Sequence, residues 1–360
     1  VSVVAEVMGG LHPAYEFTKS LLEAGKSVVT SNKELVATYG TELLEIARGK
    51  NVNYFFEASV GGGIPIIRPM HQCLTANNIL KIAGILNGTT NYILDQMIRK
   101  GKTFETALKD AQNNGFAERN PAADIEGHDA CRKIAILASL ASGKMIDYND
   151  IDTDGITNIT LDDVKYAAAM DSVIKLIGYA QFDENGKVYS IVSPMVIKNS
   201  SPLAGVDGVF NAIMVTGDCV GDVMFYGKGA GKLPTASAVV GDIFDIVRNM
   251  EAGCCGRIGC TCYKQLPVKK MEDTYNRYFL RLHVEDRCGV LAEMTEVFAK
   301  YHVSIAQIIQ KDSQNQDDHL AEVVVITSKV REGDFKTAVQ ELSNKSSVKR
   351  ISKTIRVYRK

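Results

Sequence analysis

The sequence predicts a multidomain protein that combines an α/β region with α+β regions. Three observations predict it: strands alternate with helices up to residue 63, closely spaced strands take over after Asp171, and a β-α-β-β-α-β order runs from Tyr278 to Tyr358. The length of 360 residues fits two or three domains, at roughly 100 to 200 residues each. Composition excludes several classes of function. With 41 Lys and Arg against 42 Asp and Glu the net charge is -1, which argues against binding to a nucleic-acid backbone or a membrane surface. Small molecules and other subunits are the expected partners. Apolar runs such as Ile134 to Ala141 are far shorter than the roughly 18 residues of a spanning helix, and no signal peptide is visible. Eight Cys are too few for a disulfide scaffold, so a reducing cytoplasm is expected.

The first region starts with a mostly apolar strand, Val3 to Met8, ending in Gly9-Gly10. Pro13 and Gly25 bracket a helix from Pro13 to Ala24. A strand follows at Ser27 to Thr30, Asn32-Lys33-Glu34 opens a helix to about Arg48, and Val52 to Ala58 reads as another strand. This alternation means right-handed βαβ units and a parallel sheet, whose ligands bind at the carboxyl ends of the strands. Gly9-Gly10, Ser31-Asn32-Lys33 and Gly61-Gly62-Gly63 all fall there. No G-x-G-x-x-G follows the first strand, so Gly9-Gly10 alone reads as a tight turn ahead of reading as an approach to a cofactor. Lys33 is the stronger signal. A cation at the mouth of the sheet can meet a phosphate, a carboxylate or a developing oxyanion, whereas a merely solvated lysine would oppose the helix dipole.

In the middle of the chain, Ile79 to Leu86 is a strand, Asn87 to Asn91 a polar turn capping a helix from Tyr92 to Arg99, and Thr103 to Asn114 a helix stopped by Gly115. The charged segment from Glu118 to Lys133 leads into a helix that is apolar nearly all round. Asp129 and Lys133 are four apart and share a helical face at its buried start. Two readings stand for them: a structural ion-pair network, or a proton-transferring lysine with its supporting carboxylate. Glu118 and Asp124 precede them and suit an ammonium-bearing substrate. Strands follow at Ser172 to Gln181, Lys187 to Ile197, Val209 to Thr216 and Gly221 to Tyr226, with a turn at Glu184-Asn185-Gly186, forming an antiparallel or mixed sheet. Gly227 to Thr235 is a glycine-rich loop before a helix from Ala236 to Arg248; it reads either as a phosphate cradle or as a tight packing turn.

Taken together, these motifs resemble the homoserine dehydrogenase family. The resemblance is carried by Glu6-Val7-Met8-Gly9-Gly10, Thr30-Ser31-Asn32-Lys33, Glu57-Ala58-Ser59-Val60-Gly61-Gly62-Gly63-Ile64-Pro65, Asn87-Gly88-Thr89-Thr90-Asn91-Tyr92, Asp124 through Lys133, and Gly229-Ala230-Gly231 with Pro234-Thr235-Ala236-Ser237. It implies a partial Rossmann-type parallel sheet followed by an α+β catalytic domain, and NAD- or NADP-dependent interconversion of L-homoserine and L-aspartate 4-semialdehyde. By the same resemblance Lys133 is the proton-transfer lysine, Asp129 its supporting carboxylate, and Lys33 the lysine between cofactor and substrate. Glu118 and Asp124, with Lys133, would bind substrate, and Gly9, Gly10, Ser31, Lys33 and Gly231 would bind cofactor. Glu57, Val60, Gly62 and Ile64 match a loop that coordinates a monovalent cation, sodium, mainly through carbonyl oxygens. Phe116 stands where the family usually has Tyr, and Asn120 where it has an acid. The chain opens Val1-Ser2-Val3 without Met, and no strand with its glycine fingerprint and ribose-binding acid precedes it. The expectation is that it begins partway through the nucleotide-binding domain.

Cys254, Cys255, Cys260 and Cys262 match no standard metal spacing, and a linker with chance or redox-sensitive thiols is expected over zinc or iron-sulfur. Beyond them, strands and helices at Tyr278 to Val284, Gly289 to Tyr301, Val303 to Lys311, His319 to Thr327, Gly333 to Leu342 and Val348 to Tyr358 give a ferredoxin-like order. Val284 to Leu291 resembles the turn of an ACT domain, which implies an amino-acid effector at Asp286, Gly289, Val290 and Leu291; the pathway points to threonine. The expected division is 1–63 nucleotide-binding, 64–226 catalytic and dimerisation, 227–250 a return to the nucleotide side, 251–272 linker and 273–360 regulatory. A homodimer or homotetramer is expected. The competing readings are an inactive amino-acid-binding regulatory fragment and another amino-acid-pathway dehydrogenase.

Overall fold

The computed structural model describes residues 1–183, 187–255, 268–311 and 320–358. Two compact units emerge: residues 1–158, 176–193 and 205–268 form the first, and 159–175, 194–204 and 269–360 the second.

The chain opens with β1 (Val3–Glu6), α1 (Ala14–Glu23), β2 (Ser27–Thr30), α2 (Lys33–Gly49) and β3 (Tyr54–Phe55). The three strands are parallel in the order β1-β2-β3, and central β2 is buried along its whole length. Asn32 caps α2 by accepting the N–H of Leu35 at 3.1 Å, which fixes Lys33 at the first helical position. The strand expected over Val52–Ala58 shrinks to two residues. The chain instead turns at Glu57, whose buried carboxylate accepts the N–H groups of Ile66, Ile67 and Arg68 at 2.6, 2.9 and 2.8 Å and so caps the short helix α3 (Ile67–Gln72).

Next come β4 (Ile79–Ile85), α4 (Gly88–Lys100), α5 (Phe104–Asn113), α6 (Ala122–Ile125), α7 (His128–Ser142), β5 (Asp152–Thr153) and α8 (Leu161–Ala169). They are followed by β6 (Ser172–Phe182), β7 (Val188–Lys198), β8 (Phe210–Gly217), β9 (Gly221–Lys228) and α9 (Lys232–Glu251). In the first unit β4 pairs antiparallel with β6 and β8, β8 pairs antiparallel with β9, and β5 joins β7 in parallel, giving the mixed sheet the sequence predicted. Helix α9 returns to the parallel sheet, where Ala238, Val239 and Ile246 pack with Val29, Phe55 and Ala58. It begins at Lys232 rather than Ala236, because Gly231 at φ 117° ends the loop sooner.

The second unit contains α8 and then β10 (Tyr275–Asn276), β11 (Tyr278–Glu285), α10 (Val290–Lys300), β12 (Ile305–Lys311), β13 (Leu320–Thr327), β14 (Val330–Arg331), α11 (Glu332–Ser343) and β15 (Val348–Tyr358). The sheet runs β12-β13-β11-β15 with antiparallel pairs over a core that includes Leu280, Leu282, Met294, Phe298, Val323 and Phe335. This is the predicted ferredoxin-like order. Within the unit, the end of β7 pairs in parallel with β15, Met195 opposite Arg356. Buried Arg281 on β11 meets Asp163 of α8 at 3.1 Å, Glu322 of β13 at 3.0 Å and Asp162 at 3.5 Å, and donates to the Thr160 hydroxyl at 3.1 Å.

Cys260, Cys262, His319 and the Glu184-Asn185-Gly186 turn lie outside the described residues. Among the described residues no helix is long and apolar enough to cross a membrane.

Candidate active site

The first turn of α7 brings Asp129 under two lysines from different elements. Its Oδ2 lies 2.7 Å from Lys133 Nζ, one turn further along the helix, and its Oδ1 lies 2.8 Å from Lys33 Nζ at the start of α2. Lys133 is buried and also donates to the carbonyl of Leu86, at 2.8 Å, where the chain leaves β4. Burial alone would push the Asp129 carboxyl up, but the two ammonium groups outweigh it and hold the carboxyl well below the usual carboxylate range. Burial likewise would pull Lys33 down, yet Asp129 raises it above an ordinary lysine. The awkward cation at a helix N-terminus is thereby explained: a buried carboxylate holds it there. Arg132 of α7 reaches Glu34 of α2 at 3.3 Å and ties the same two helices together.

Asn87 is the group the sequence reading undervalued. As the cap of α4 it accepts the N–H of Thr90 at 2.9 Å, and its amide also donates to Asp124 at 2.7 Å and to Asp129 at 2.9 Å. One side chain therefore aligns both acids. Asp124 is half-buried, and burial together with the charge of Asp129 raises its carboxyl above the ordinary aspartate value. Glu118 is exposed on the loop after α5; its backbone carbonyl accepts from Gln112, and among the described residues its carboxylate makes no hydrogen bond or ion pair. Phe116 is exposed, stacked edge-on against Tyr92 at 5.0 Å, and Asn120 accepts the N–H of Ala122 at 3.3 Å. The structure thus brings Lys33, Asp124, Asp129 and Lys133 together and leaves the exposed Glu118 outside that cluster.

On the parallel sheet, Gly9 and Gly10 follow β1 with open space beside their backbone, and the Gly10 carbonyl accepts from the Asn32 side chain at 2.7 Å. Ser31 N–H reaches the Glu6 carbonyl at 3.4 Å. Glu6 itself, which motif reading gave no separate role, is buried at the end of β1 and accepts from the Thr30 hydroxyl at 2.5 Å and from Met8 N–H at 2.6 Å. It fixes the strand ends that carry Gly9, Gly10 and Ser31.

The loop from Glu57 to Ile64 is buried at Glu57, Val60 and Ile64 and turns through positive φ at Gly61 and Gly62. The Glu57 carboxylate is fully engaged with α3 and Arg68, so only its carbonyl remains for a ligand. Among the described residues, the carbonyl oxygens of Glu57, Val60, Gly62 and Ile64 accept no turn or loop backbone hydrogen bond. Gly62 packs on the glycine-rich loop so closely that a Cβ would fall 2.5 Å from the Gly229 carbonyl oxygen, and Gly63 N–H donates to Lys228 at 3.0 Å. The carbonyl-rich loop and the loop leading to Gly231 are therefore one docked surface.

In the second unit, Gly289 adopts φ 91° ahead of α10 with open space around it; Asp286 and Leu291 are exposed and Val290 is buried. Arg287 bridges Glu285 and Glu293 at 2.9 Å each and braces the turn.

A buried, acid-paired lysine beside the carboxyl ends of a parallel sheet, with a further acid aligned on it, is the arrangement of an α/β enzyme with a polar small-molecule site. The particular family follows from comparison. Residues 65–244 match homoserine dehydrogenase and residues 278–345 match the ACT domain. A homoserine dehydrogenase of Bacillus subtilis is 41% identical over 99% of this chain and 82% of its own length. The crystal structure of a homoserine dehydrogenase from Thiobacillus denitrificans superposes with a TM-score of 0.91 at 38% identity, covering 99% of this chain and 82% of that one. A hyperthermophilic archaeal homoserine dehydrogenase in complex with NADPH matches with a TM-score of 0.61 at 32% identity, covering 69% of this chain and 72% of that one. The chain belongs to the homoserine dehydrogenase family, oxidoreductases that interconvert L-homoserine and L-aspartate 4-semialdehyde with NAD or NADP, and it carries a C-terminal ACT domain. That match, spanning nearly the whole chain, favours the enzyme over a regulatory fragment or another dehydrogenase.

Proposed function

We propose that Lys133 moves the proton of this reaction, with Asp129 holding it and Lys33 closing the far side of the carboxylate. The observation that carries the reading is the geometry of Lys133. An ammonium has three N–H donors, and two are engaged by Asp129 and Leu86, leaving one for the substrate oxygen. A nicotinamide cofactor, when bound, would supply the hydride chemistry at carbon 4 of the substrate. Lys133 then gives a proton to that oxygen as the aldehyde is reduced, or takes it back from the alcohol. Asp124, aligned by Asn87, and Glu118 hold the substrate ammonium by charge-assisted hydrogen bonds. Lys33, at the mouth of the sheet and held by Asp129, would stand between cofactor and substrate.

Gly9, Gly10, Ser31 and Gly231 would hold the cofactor, a reading supported by the unobstructed backbone at the first two. A monovalent cation, sodium by preference, would sit on the carbonyl oxygens of Glu57, Val60, Gly62 and Ile64, the oxygen-only donor set that hard cations take. Asp286, Gly289, Val290 and Leu291 would bind an amino-acid effector, threonine. The division of labour is residues 1–63 with 227–250 for nucleotide, 64–226 for catalysis and subunit pairing, 251–272 as linker and 273–360 for regulation, in a cytoplasmic homodimer or homotetramer. The test is Lys133→Ala: kcat for NADPH-dependent reduction of aspartate semialdehyde should fall by about 10² to 10⁴, the usual contribution of a general acid. A near-normal kcat removes Lys133 from the role.

A further inference from the structure

Asn211 lies near the start of β8 and is 1% exposed, yet among the described residues neither its Oδ1 nor its Nδ2 has a hydrogen-bond partner. Leaving a buried polar group unpaired costs roughly 1–3 kcal/mol, so an amide with both ends unpaired calls for a state of the protein in which it is satisfied. Its surroundings identify the partner. On one side is Gly229: a Cβ placed there would fall 2.0 Å from Nδ2 and 2.7 Å from Oδ1. On the other is Gly88, the first residue of α4, where a Cβ would fall 3.4 Å from Oδ1.

The α4 side is fixed. Asn87 caps that helix, and Asn91 donates to the carbonyls of Val206, Gly208 and Phe210 at 3.1, 3.1 and 3.0 Å, fastening the approach to β8. The Gly229 side is a run of Gly229-Ala230-Gly231: Gly229 is packed on Gly62, while from Ala230 onward the run is exposed and has no bulky side chain to hinder rotation of its peptides. The loop is therefore the side from which a donor and an acceptor can reach the amide.

We propose that Asn211 is a positioning residue for the nicotinamide cofactor: when cofactor engages the 229–231 loop, the loop backbone pairs with the Asn211 amide and is held in its binding conformation. The inference rests on the reading of Gly231 as cofactor-binding and adds the group that sets the loop. Asn211 itself touches neither cofactor nor substrate. The unpaired amide makes the cofactor-free loop less stable, and cofactor binding recovers that stability, so the effect appears in affinity rather than in the chemical step.

The experiment is Asn211→Leu in the full chain, with NADPH as probe. The dissociation constant for NADPH should rise about tenfold, and its KM with it, while kcat at saturating NADPH and KM for aspartate semialdehyde stay within about twofold. The Tm of the cofactor-free chain should hold or rise, because an unpaired buried amide is replaced by an apolar group of similar size. A merely structural asparagine would give the reverse, a lowered Tm with unchanged NADPH affinity, and that result overturns the proposal. If the branched side chain clashes with Gly229 and the variant does not fold, Asn211→Ala must show the same loss of affinity; unchanged affinity there is equally fatal. Gly231→Val separates the two readings. Intact NADPH binding in that variant sinks the cofactor assignment of the loop, whereas weakened binding there with unchanged affinity in Asn211→Leu sinks only the role of Asn211.

Discussion

Two buried charge clusters in this chain are built with opposite stoichiometry. Around Asp129 one carboxylate serves two lysines; around Arg281 one guanidinium serves Asp162, Asp163 and Glu322. In the first cluster Lys33 remains 41% exposed at its side chain and Lys133 keeps an unused N–H, so the cations outnumber their anchors and keep donors to spare. In the second, Arg281 is 6% exposed and its fork is engaged by three acids and the Thr160 hydroxyl, while Tyr166 donates to Glu322 behind them. Among the described residues its Nε–H makes no hydrogen bond, but these groups seal the guanidinium from any approach. The lesson is that burial of charge does not mark an active site by itself; spare donor capacity facing an approach does.

Variants can break that comparison or sharpen it. Asp129→Asn should have the largest effect, because it strands two cations at once: about 3–5 kcal/mol of stability, as for a broken buried pair, together with most of the activity. The depressed carboxyl means this stability is present at neutral pH and is lost only as pH falls below the ordinary aspartate range, which acid titration of Tm would follow. Arg281→Leu should cost a similar 3–5 kcal/mol by leaving its acids unpaired, but kcat below the melting range should not change. A fall in kcat there would join the two clusters functionally and end the distinction. Asp124→Asn should raise the KM for homoserine about ten- to a hundredfold, the worth of a hydrogen bond to a charged group. Because burial and Asp129 raise the Asp124 carboxyl, the wild-type KM should climb as pH falls while the carboxyl is still above the ordinary aspartate range; the variant should be flat there. The smallest effect is that of threonine on the ACT turn, about 1.4 kcal/mol of stabilisation at ten times its dissociation constant, read as a rise in Tm that Gly289→Ala removes.

Long periodic elements were legible in the sequence. Helices α1, α2, α5 and α7 and the β11-to-β15 order were expected within a few residues of where they lie, because apolar spacing, Asn32 at the start of α2, and Gly25 and Gly115 after α1 and α5 mark them. Short elements were not. Helix α8 escaped although Thr160 and Asp163 form a capping box at its start, a T-x-x-D pattern that can be read directly. The loss of β3 after Phe55 had no local signal, since it depends on Glu57 meeting the N-terminus of α3. For the site, the i, i+4 spacing of Asp129 and Lys133 was visible, but Lys33 joins them only through tertiary packing of α2 against α7. Asn87 was legible as a cap and not as the clamp on two acids, and Arg281 sits in an apolar strand pattern that gives no hint of its partners.

The layer around the parallel sheet is discontinuous in sequence: Val29, Phe55 and Ala58 come early, whereas Ala238, Val239 and Ile246, which cover them, come almost two hundred residues later. For a chain made from its N-terminus forward, the early strands must wait with an uncovered apolar face until α9 has emerged. The Gly62 and Gly229 backbones, already touching when the fold is complete, must likewise find each other late. Closing contacts of such long sequence separation is slow. This places the vulnerable interval of the molecule in its synthesis, when a half-made parallel-sheet layer is open to aggregation and to any chaperone that recognises it.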